Sequence, residues 1–228
     1  MKILLLCDDQ YHPGSIPEQG IQPLVAKGYQ FDVIYNAKEF KPAMLPDYNV
    51  VILSKSDHTS QKDRTPWKTN HVQNALIKYV ENGGGLLANH SGLVAGENGT
   101  TSKLDNLIGS KFIFHPAACK VTVQALKPHT ITNNTEMFYE HDEHYLLQIL
   151  ADDIDVLAAA YSKPPFDKSN QDPRHYSESG FFAAAAYVRT QGKGRVCVLT
   201  PGHTTDVWRN LQFQRMLDNS LIWCSNKG

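Results

Sequence analysis

The chain has 228 residues, of which 41% are hydrophobic and 20% are charged, and its formal net charge at pH 7 is -1. This composition is typical of a folded globular protein and excludes a largely disordered or membrane-spanning chain. With so little net charge, we predict no nucleic-acid partner and no membrane partner. The length favours a single domain over residues 1–228, with one sizeable core.

The compartment is predicted from the N-terminus and the cysteines. The opening "MKILLLCDD" has one lysine and a short apolar run that leads directly into acidic residues, so it resembles a first strand rather than a signal peptide. The four cysteines are far apart in the sequence and form no C-x-x-C pair, which disfavours a zinc knuckle or a disulfide framework. They are Cys7, Cys119, Cys197 and Cys224. We therefore predict reduced thiols and a cytoplasmic location.

The first half of the chain alternates apolar strands with helix-length connectors. Short apolar runs bounded by polar residues or glycine are typical of strands buried on both faces of a parallel sheet. We predict a helix over 69–82, ended by a left-handed glycine cap at 83–85. The predicted strands are 3–6, 31–35, 50–53 and 86–89. This alternation predicts an α/β fold with a doubly wound, mostly parallel sheet.

In the second half, strand-like runs are separated mostly by turns, which predicts antiparallel strands there. The segment 190–195, "TQGKGR", is interpreted as a hairpin turn. The segment 162–180 is rich in proline, serine and charge and is predicted to be one long exposed excursion; loops of that length are usually functional or mobile, and a lid is one role open to it. A last helix is predicted over 206–223. The predicted strands are 121–126, 154–161, 182–189 and 195–200.

Polar residues follow the ends of several predicted strands. Because ligands bind outside the carboxyl ends of the strands in open α/β sheets, we expect these residues to converge on one rim. Asp9 and Asp57 are equally well explained as caps of the following helices, and a lone loop histidine is more often solvated than catalytic. The polar clusters contain Asp9 and His12, Asp57 and His58, Asn89 and His90, and His203.

The segment "ANHSG", residues 88–92, has the small-x-X-x-small form of a nucleophile elbow. Such a strand-to-helix turn presents its central residue, and small neighbours prevent clashes. The presented residue is His90, where amidotransferases and hydrolases of this design carry cysteine or serine. A histidine there indicates an acid, a base or a ligand rather than an acyl-forming nucleophile.

The segment "YEHDEHY", residues 139–145, is the second dense polar patch. As an extended segment it would place His141, Glu143 and Tyr145 on one side and the residues between them on the other. As a helix it would bring His141 and His144 together, but H-x-x-H is not the H-E-x-x-H zinc spacing. A solvated polar loop is an equally good interpretation from composition alone.

Taken together, several segments resemble the ThuA-like family, which is associated with the utilisation of trehalose and related disaccharides. The resemblance covers most of the chain and is carried by "GGGLLANHSG", "LIGSKFIFHP", "HTITNN" followed by "DEHY", and the segment 186–210. It implies a class I glutamine amidotransferase-like, flavodoxin-like fold. The chain departs from the family pattern at Thr130, where proline is usual, and at Asn89, which is often leucine.

The resemblance implies a set of site residues. It carries over His90, Asp142, Glu143, Tyr145 and His203 as site positions, and His115 matches the family's histidine before proline. His203 also occupies the place of the amidotransferases' catalytic histidine. Because the elbow has no cysteine, glutamine hydrolysis through a thioester is not expected.

Three functions follow from these expectations. The first is an enzyme acting on a disaccharide or its oxidised keto derivative, in which His90 and His203 are acid/base partners and Glu143 assists them. In it, His12, Tyr145 and Trp208 border the sugar pocket, and Asp9, His58, His115 and Asp142 complete the predicted substrate site. The second is a metal-assisted hydrolase with the same cluster, and the third is a sugar-binding or regulatory module without chemistry. The first function requires no cofactor. Binding of a divalent metal and assembly into a homo-oligomer are both compatible with the sequence.

Overall fold

The structure is a computed structural model that describes residues 1–94, 100–166, 172 and 176–225. In this part of the chain, nine strands form one sheet and two more form a separate antiparallel pair. No helix within the described residues is long and apolar enough to span a bilayer.

The elements have the following bounds. The strands are β1 (Lys2–Cys7), β2 (Gln30–Ile34), β3 (Val50–Ser54), β4 (Gly85–Asn89), β5 (Ser110–Phe114), β6 (Cys119–Ala125), β7 (Phe138–Asp142), β8 (Leu146–Ile149), β9 (Asp155–Ser162), β10 (Phe181–Gln191) and β11 (Gly194–Leu199). The α-helices are α1 (Ser15–Gly20), α2 (Gln22–Ala26), α3 (Asn70–Glu81), α4 (Lys103–Ile108), α5 (Thr205–Arg209) and α6 (Leu211–Ser225).

The main sheet is half parallel and half antiparallel. Its strand order is β2-β1-β3-β4-β11-β10-β9-β6-β7. The pairs from β2 to β11 are parallel, and the pairs from β11 to β7 are antiparallel. The predicted α/β class, with antiparallel strands in the second half of the chain, is therefore confirmed, and the sheet predicted to be mostly parallel is evenly divided between parallel and antiparallel pairs.

Two apolar layers cover the sheet, as a doubly wound fold requires. Side chains from one face of β3, Val50 and Ile52, pack in a core with α6, and the alternating side chains Val51 and Leu53 pack in a second core with α3 and α4. All five residues of β3 are buried, which explains why its sequence is a continuous apolar run rather than an alternating one.

The antiparallel half curls back towards the parallel half. Between β11 and β7 lie four strand spacings, so these strands would be about 19 Å apart in a flat sheet. Yet the Asp142 carboxylate, at the end of β7, accepts a hydrogen bond from the backbone N–H of Gly202, just after β11, at 3.0 Å. Four successive antiparallel steps leave β7 pointing in the same direction as β11. The segment after β7 therefore joins the carboxyl-end rim of the parallel strands.

The local chain signals are confirmed in two places and corrected in one. Gly83 ends α3 with a φ of 106°, and Gly192 turns the β10–β11 hairpin with a φ of 59°. The helix predicted over 206–223 is instead two helices, because Asn210 is extended (φ -62°, ψ 126°) between α5 and α6. The Asn210 side chain accepts a hydrogen bond from the backbone N–H of Gln212, which caps the start of α6.

Two further differences concern the second half of the chain. β5 and β8, which were not predicted from the sequence, pair with each other outside the main sheet. Of the excursion predicted at 162–180, residues 167–171 and 173–175 lie outside the described residues. The lid stays a prediction.

Candidate functional site

The elbow after β4 places His90 at the rim of the sheet. His90 has a φ of 44°, in the left-handed region that non-glycine residues rarely adopt. His90 is also the first residue of a 3₁₀ turn over His90–Leu93. The turn passes so close to β3 that a Cβ at Gly92 would lie 1.7 Å from the Leu53 carbonyl oxygen. The small residue two positions after His90 is therefore a steric requirement.

The elbow is tied to the end of β11 by hydrogen bonds from two consecutive residues. The Asn89 side chain donates to the carbonyl oxygens of Leu199 and Pro201 at 3.1 and 2.8 Å. The imidazole Nδ1 of His90 lies 2.8 Å from the Thr200 carbonyl oxygen. A carbonyl oxygen only accepts, so Nδ1 carries the proton and Nε2 points away from the strand.

The loop after β1 places His12 opposite the elbow. Asp9 is fully buried, and its carboxylate accepts hydrogen bonds from the backbone N–H of Tyr11 at 3.0 Å and of Ser56 at 2.9 Å. The same carboxylate lies 2.7 Å from His12 Nδ1 and orients that ring. Asp9 was predicted as a substrate contact or a helix cap, and the structure gives it neither position, because it holds loops together beneath the cavity.

Glu143 is the centre to which four histidine rings converge. Its Oε2 atom lies 3.2 Å from His203 Nδ1, 3.4 Å from His90 Nε2, 3.6 Å from His115 Nε2 and 3.8 Å from His12 Nε2. The sequence analysis singled out all five residues from separate parts of the chain, and the structure brings them together.

Tyr145 forms the floor beneath this cluster. Its ring stacks on His90 with a centroid distance of 4.1 Å and on His115 with a distance of 5.6 Å. Tyr145 is 2% exposed, and burial raises the pKa of its hydroxyl well above the usual value. It therefore acts mainly as a packed aromatic support, with its hydroxyl 3.5 Å from His12 Nε2.

Burial and neighbouring charged groups have opposite effects on the pKa values of the cluster. Burial by itself disfavours an ionised Glu143, but the neighbouring imidazoles of His12, His203 and His90 outweigh it and hold the pKa of this carboxyl well below its usual range. Burial also disfavours a charged His12, but Asp9 and Glu143 outweigh it and raise the pKa of His12 to about 9. For His90, burial dominates and lowers the pKa.

Asp142 supports the cluster from behind and does not face the cavity. Its carboxylate accepts hydrogen bonds from the backbone N–H of Gly202 at 3.0 Å and of His203 at 2.9 Å. It is 1% exposed, so it fixes the loop that carries His203 rather than touching a substrate. As in the extended arrangement of this segment, Glu143 and Tyr145 face the cluster while Asp142 does not, but His141, which that arrangement grouped with them, is exposed.

Trp208, predicted to border the pocket, does not line the cavity. It is 1% exposed, packs against Gly20, and donates its indole N–H to the Gly202 carbonyl oxygen at 2.9 Å.

Asp57 is next to the cavity, but one of its carboxylate oxygens accepts from the backbone N–H groups of Trp67 and Lys68 at 3.0 and 2.7 Å. It organises the loop before α3 instead of capping a helix directly.

A cavity of about 360 Å³ opens beside the cluster. His58, which was predicted as a substrate contact, lies in its wall. His90 and His203 are absent from this wall and border a much smaller crevice behind Glu143. The wall is formed by Tyr11, His12, Ser56, Asp57, His58, Val94, Phe112, His115, Glu143 and Tyr145.

Some wall residues were missed by the sequence analysis. Phe112 lies in β5, which was not predicted, although it belongs to the quoted segment "LIGSKFIFHP". Tyr11 lies one residue before His12, in a loop without regular periodicity. An aromatic residue next to a predicted site histidine is the only signal that the sequence offered for Tyr11.

Lys68 fixes the far side of the elbow. It is 3% exposed, and its ammonium donates to the carbonyl oxygens of Val94 at 2.8 Å and Gly92 at 3.4 Å. Burial lowers the pKa of Lys68 to about 8. The elbow is thus held between β3, β11 and a buried cation.

This burial predicts a pH effect. Between about pH 8 and the usual lysine pKa, the unfolded chain binds more protons at Lys68 than the folded chain, so this group makes stability rise with pH. Lys68→Met is expected to reduce the rise in the free energy of unfolding between pH 8 and 10 by on the order of 2 kcal/mol. Urea denaturation at a series of pH values measures the free energy of unfolding of the variant and of the wild type. Equal rises in the variant and the wild type would show that Lys68 is not buried as a cation.

The doubly wound sheet, with a polar cluster at the carboxyl ends of its strands, defines an α/β protein with a candidate ligand site at the rim. The family model described as trehalose utilisation, ThuA, matches residues 2–224, and the chain belongs to this family. No curated protein has a significant sequence match to the chain.

Solved structures agree with the fold. A putative ThuA-like protein from Bacteroides uniformis superposes with a TM-score of 0.73 at 17% identity, over 98% of this chain and 91% of that one. One from Parabacteroides merdae gives 0.70 at 15% identity, over 99% and 90%. A cytoplasmic protein from Salmonella typhimurium gives 0.67 at 14% identity, over 98% and 99%. At these identities the likeness establishes the fold alone.

Proposed function

We propose that the chain is a cytoplasmic enzyme that modifies a small carbohydrate, either a disaccharide such as trehalose or its oxidised keto derivative. The observation that carries this proposal is the convergence of four imidazoles on the Glu143 carboxylate at the end of an aromatic-walled cavity. The family's description as trehalose utilisation supports the substrate class. The Salmonella protein of similar fold, described as cytoplasmic, supports the location.

The cavity suits a sugar in size and lining. Its volume of about 360 Å³ is at the small end of the range for small-molecule sites. Tyr11 and Phe112 offer aromatic surface for the apolar face of a sugar ring. Ser56 and His58 contribute polar side chains to the same wall. This mixture is typical of sites that orient a ligand by a few polar contacts.

His115 is the residue that we assign to proton transfer. Its side chain is 35% exposed and lines the cavity, and its Nδ1 lies 3.0 Å from the Pro116 carbonyl oxygen. Since that oxygen only accepts, Nδ1 carries a proton and Nε2 is the atom that takes or gives one. The sequence analysis assigned this task to His90 and His203. His90 is only 1% exposed, so we place it among the groups that act on the substrate through the cluster.

The reaction that this arrangement fits is activation of a carbon next to an oxygen-bearing group. In a keto sugar, the carbonyl makes the neighbouring C–H acidic, and His115 accepts that proton. The C–H bonding pair becomes the C=C bond of an enolate and the C=O π pair moves onto the oxygen, where positive charge in the cluster stabilises it until His115 returns the proton. The same cluster acts in this way whether its charge comes from protons on the imidazoles or from a bound ion.

The test is incubation of the purified protein with a panel of disaccharides and their keto derivatives, with products identified by mass spectrometry. His115→Gln is expected to lower kcat by about 10²–10⁴-fold, with a much smaller change in KM. His141→Ala, which replaces an exposed histidine outside the cluster, is the matched control and is expected to keep wild-type turnover.

Each other outcome has a definite meaning. Wild-type turnover by His115→Gln would remove the assigned role of His115. Sugars that raise the melting temperature without any product would identify a sugar-binding or regulatory module instead. If the panel gave neither product nor thermal shift, the proposed substrate class would be wrong.

A further inference from the structure

Three histidine nitrogens and one carboxylate oxygen form a compact shell at the rim. The four residues are His12, His90, Glu143 and His203, and their ligand atoms all lie within 4.8 Å of one another. Glu143 Oε2 lies 3.2 Å from His203 Nδ1, 3.4 Å from His90 Nε2 and 3.8 Å from His12 Nε2. The four residues come from three strand ends and from the loop after β1.

Fixed hydrogen bonds determine which nitrogen of each ring faces this shell. The Thr200 carbonyl oxygen takes the Nδ1–H of His90, and the Asp9 carboxylate takes that of His12. In the neutral rings, the Nε2 atoms therefore present lone pairs to the centre. Where these nitrogens carry no proton, their lone pairs face the lone pairs of a carboxylate oxygen, an arrangement that is repulsive unless a proton or a cation lies between them.

Two of the inward-facing nitrogens are buried and have no hydrogen-bond partner. They are His90 Nε2 and His203 Nδ1. A buried polar atom without a partner costs roughly 1–3 kcal/mol and is uncommon in native proteins. His90 is 1% exposed, so bulk water does not satisfy it. Protonating every ring would fill these positions only by crowding several positive charges around a single carboxylate.

We propose that His12, His90, His203 and Glu143 bind one divalent first-row transition metal ion. The proposal deepens the proposed function. The catalytic role of the ion rests on that function, whereas the binding of the ion does not. In a tetrahedral shell with metal–ligand bonds of about 2.0–2.1 Å, neighbouring ligand atoms are roughly 3.3 Å apart. The three distances from Glu143 Oε2 bracket that value. One ion would satisfy all four inward-facing atoms at once.

The surroundings match those of a metal site beyond its ligands. Metal-binding histidines usually donate their second ring N–H to a carboxylate or a backbone carbonyl, and Asp9 and Thr200 supply these acceptors. Asp142 fixes the backbone of His203. Three imidazoles and one carboxylate favour zinc, iron, nickel or similar ions over Mg²⁺ and Ca²⁺, which prefer all-oxygen shells.

The assignment leaves His115 outside the ligand set. Its Nε2 is 3.6 Å from Glu143 Oε2, but His115 is not among the four mutually close residues. When bound, the ion would supply Lewis-acid polarisation of a substrate oxygen. The cavity-facing imidazole of His115 then stays free to transfer a proton. This division fits the difference in exposure between His115, whose side chain is 35% exposed, and His90, which is buried.

The test is a titration of chelator-treated protein without a histidine tag. Zn²⁺ binding is followed by calorimetry, and Co²⁺ binding by the visible absorption that a protein-bound Co²⁺ ion develops. We expect one equivalent of each ion per chain, a higher melting temperature with Zn²⁺, and no such change with Mg²⁺. His90→Ala and Glu143→Gln are expected to weaken Zn²⁺ binding by more than 100-fold, and Asp9→Asn by about 10–100-fold.

His115→Gln and His141→Ala are the matched controls, and both are expected to keep the wild-type affinity. A folded protein that binds no Zn²⁺ or Co²⁺ would overturn the proposal, as would weak binding of several equivalents that His90→Ala leaves unchanged. Circular dichroism of each variant separates lost ligands from lost structure. Undiminished sugar turnover by chelated, metal-free protein would leave the proposed function standing without the ion. Stoichiometric metal binding without any turnover of a sugar would support the metal site and contradict the proposed function.

Discussion

Glu143→Gln is expected to lower the turnover of the sugar substrate by about 10²–10⁴-fold while the protein stays folded. Glutamine has nearly the same size as glutamate but no charge. It would therefore leave the imidazoles of the cluster without the negative group on which they converge. Turnover is measured on the keto-disaccharide panel, and the melting temperature is recorded in parallel.

The control for this change is Glu140→Gln, in β7, where the carboxylate accepts a hydrogen bond from the Asn210 side chain away from the cluster. It is expected to keep wild-type turnover. Full activity in Glu143→Gln would show that the cluster does not perform the chemistry. Equal losses in both variants would point to a general effect on β7.

Gly92→Ala is expected to lower the free energy of unfolding by about 3–5 kcal/mol. The added Cβ would lie 1.7 Å from the Leu53 carbonyl oxygen, and the backbone of β3 has no room to retreat between two buried layers. The elbow would have to move, and with it the ring of His90. Urea denaturation measures the stability loss, and the Zn²⁺ titration measures the accompanying disruption of the cluster.

Gly28→Ala is the matched glycine control. Gly28 has a φ of 93°, and a Cβ added there would meet no atom within 4 Å, so this substitution tests backbone strain without a clash. It is expected to lower stability by only about 1–2 kcal/mol. Similar losses in the two variants would show that the approach of the elbow to β3 is not tight.

The strands of the parallel half could be predicted because burial on both faces produces unbroken apolar runs, as in β3. The break at Asn210 could not, because the apolar stripe from Phe213 to Leu221 gives no sign that the preceding turn stops. β5 and β8 were missed for a related reason. They pair outside the main sheet, and residues such as Ile113 and Ile149 are exposed, so their pattern is not that of a buried strand.

The gathering of the site could be predicted from topology, since polar residues after parallel strands share one rim. The orientation of each side chain could not. Asp9 and Asp142 were expected to touch a substrate, and both are turned towards backbone N–H groups. Trp208 follows His203 closely in sequence, but its indole is directed into the core. These outcomes depend on packing between segments that are distant in the chain.

The curl of the antiparallel half has a consequence for folding kinetics. The hydrogen bond from Gly202 to Asp142 joins residues 60 positions apart, and that from His90 to Thr200 joins residues 110 positions apart. Contacts between such distant segments form slowly, because the entropy cost of closing a long loop comes before the stabilising contacts form. We expect a refolding intermediate to acquire its apolar layers before it can bind Zn²⁺, so that maturation of the site reports completion of the native topology.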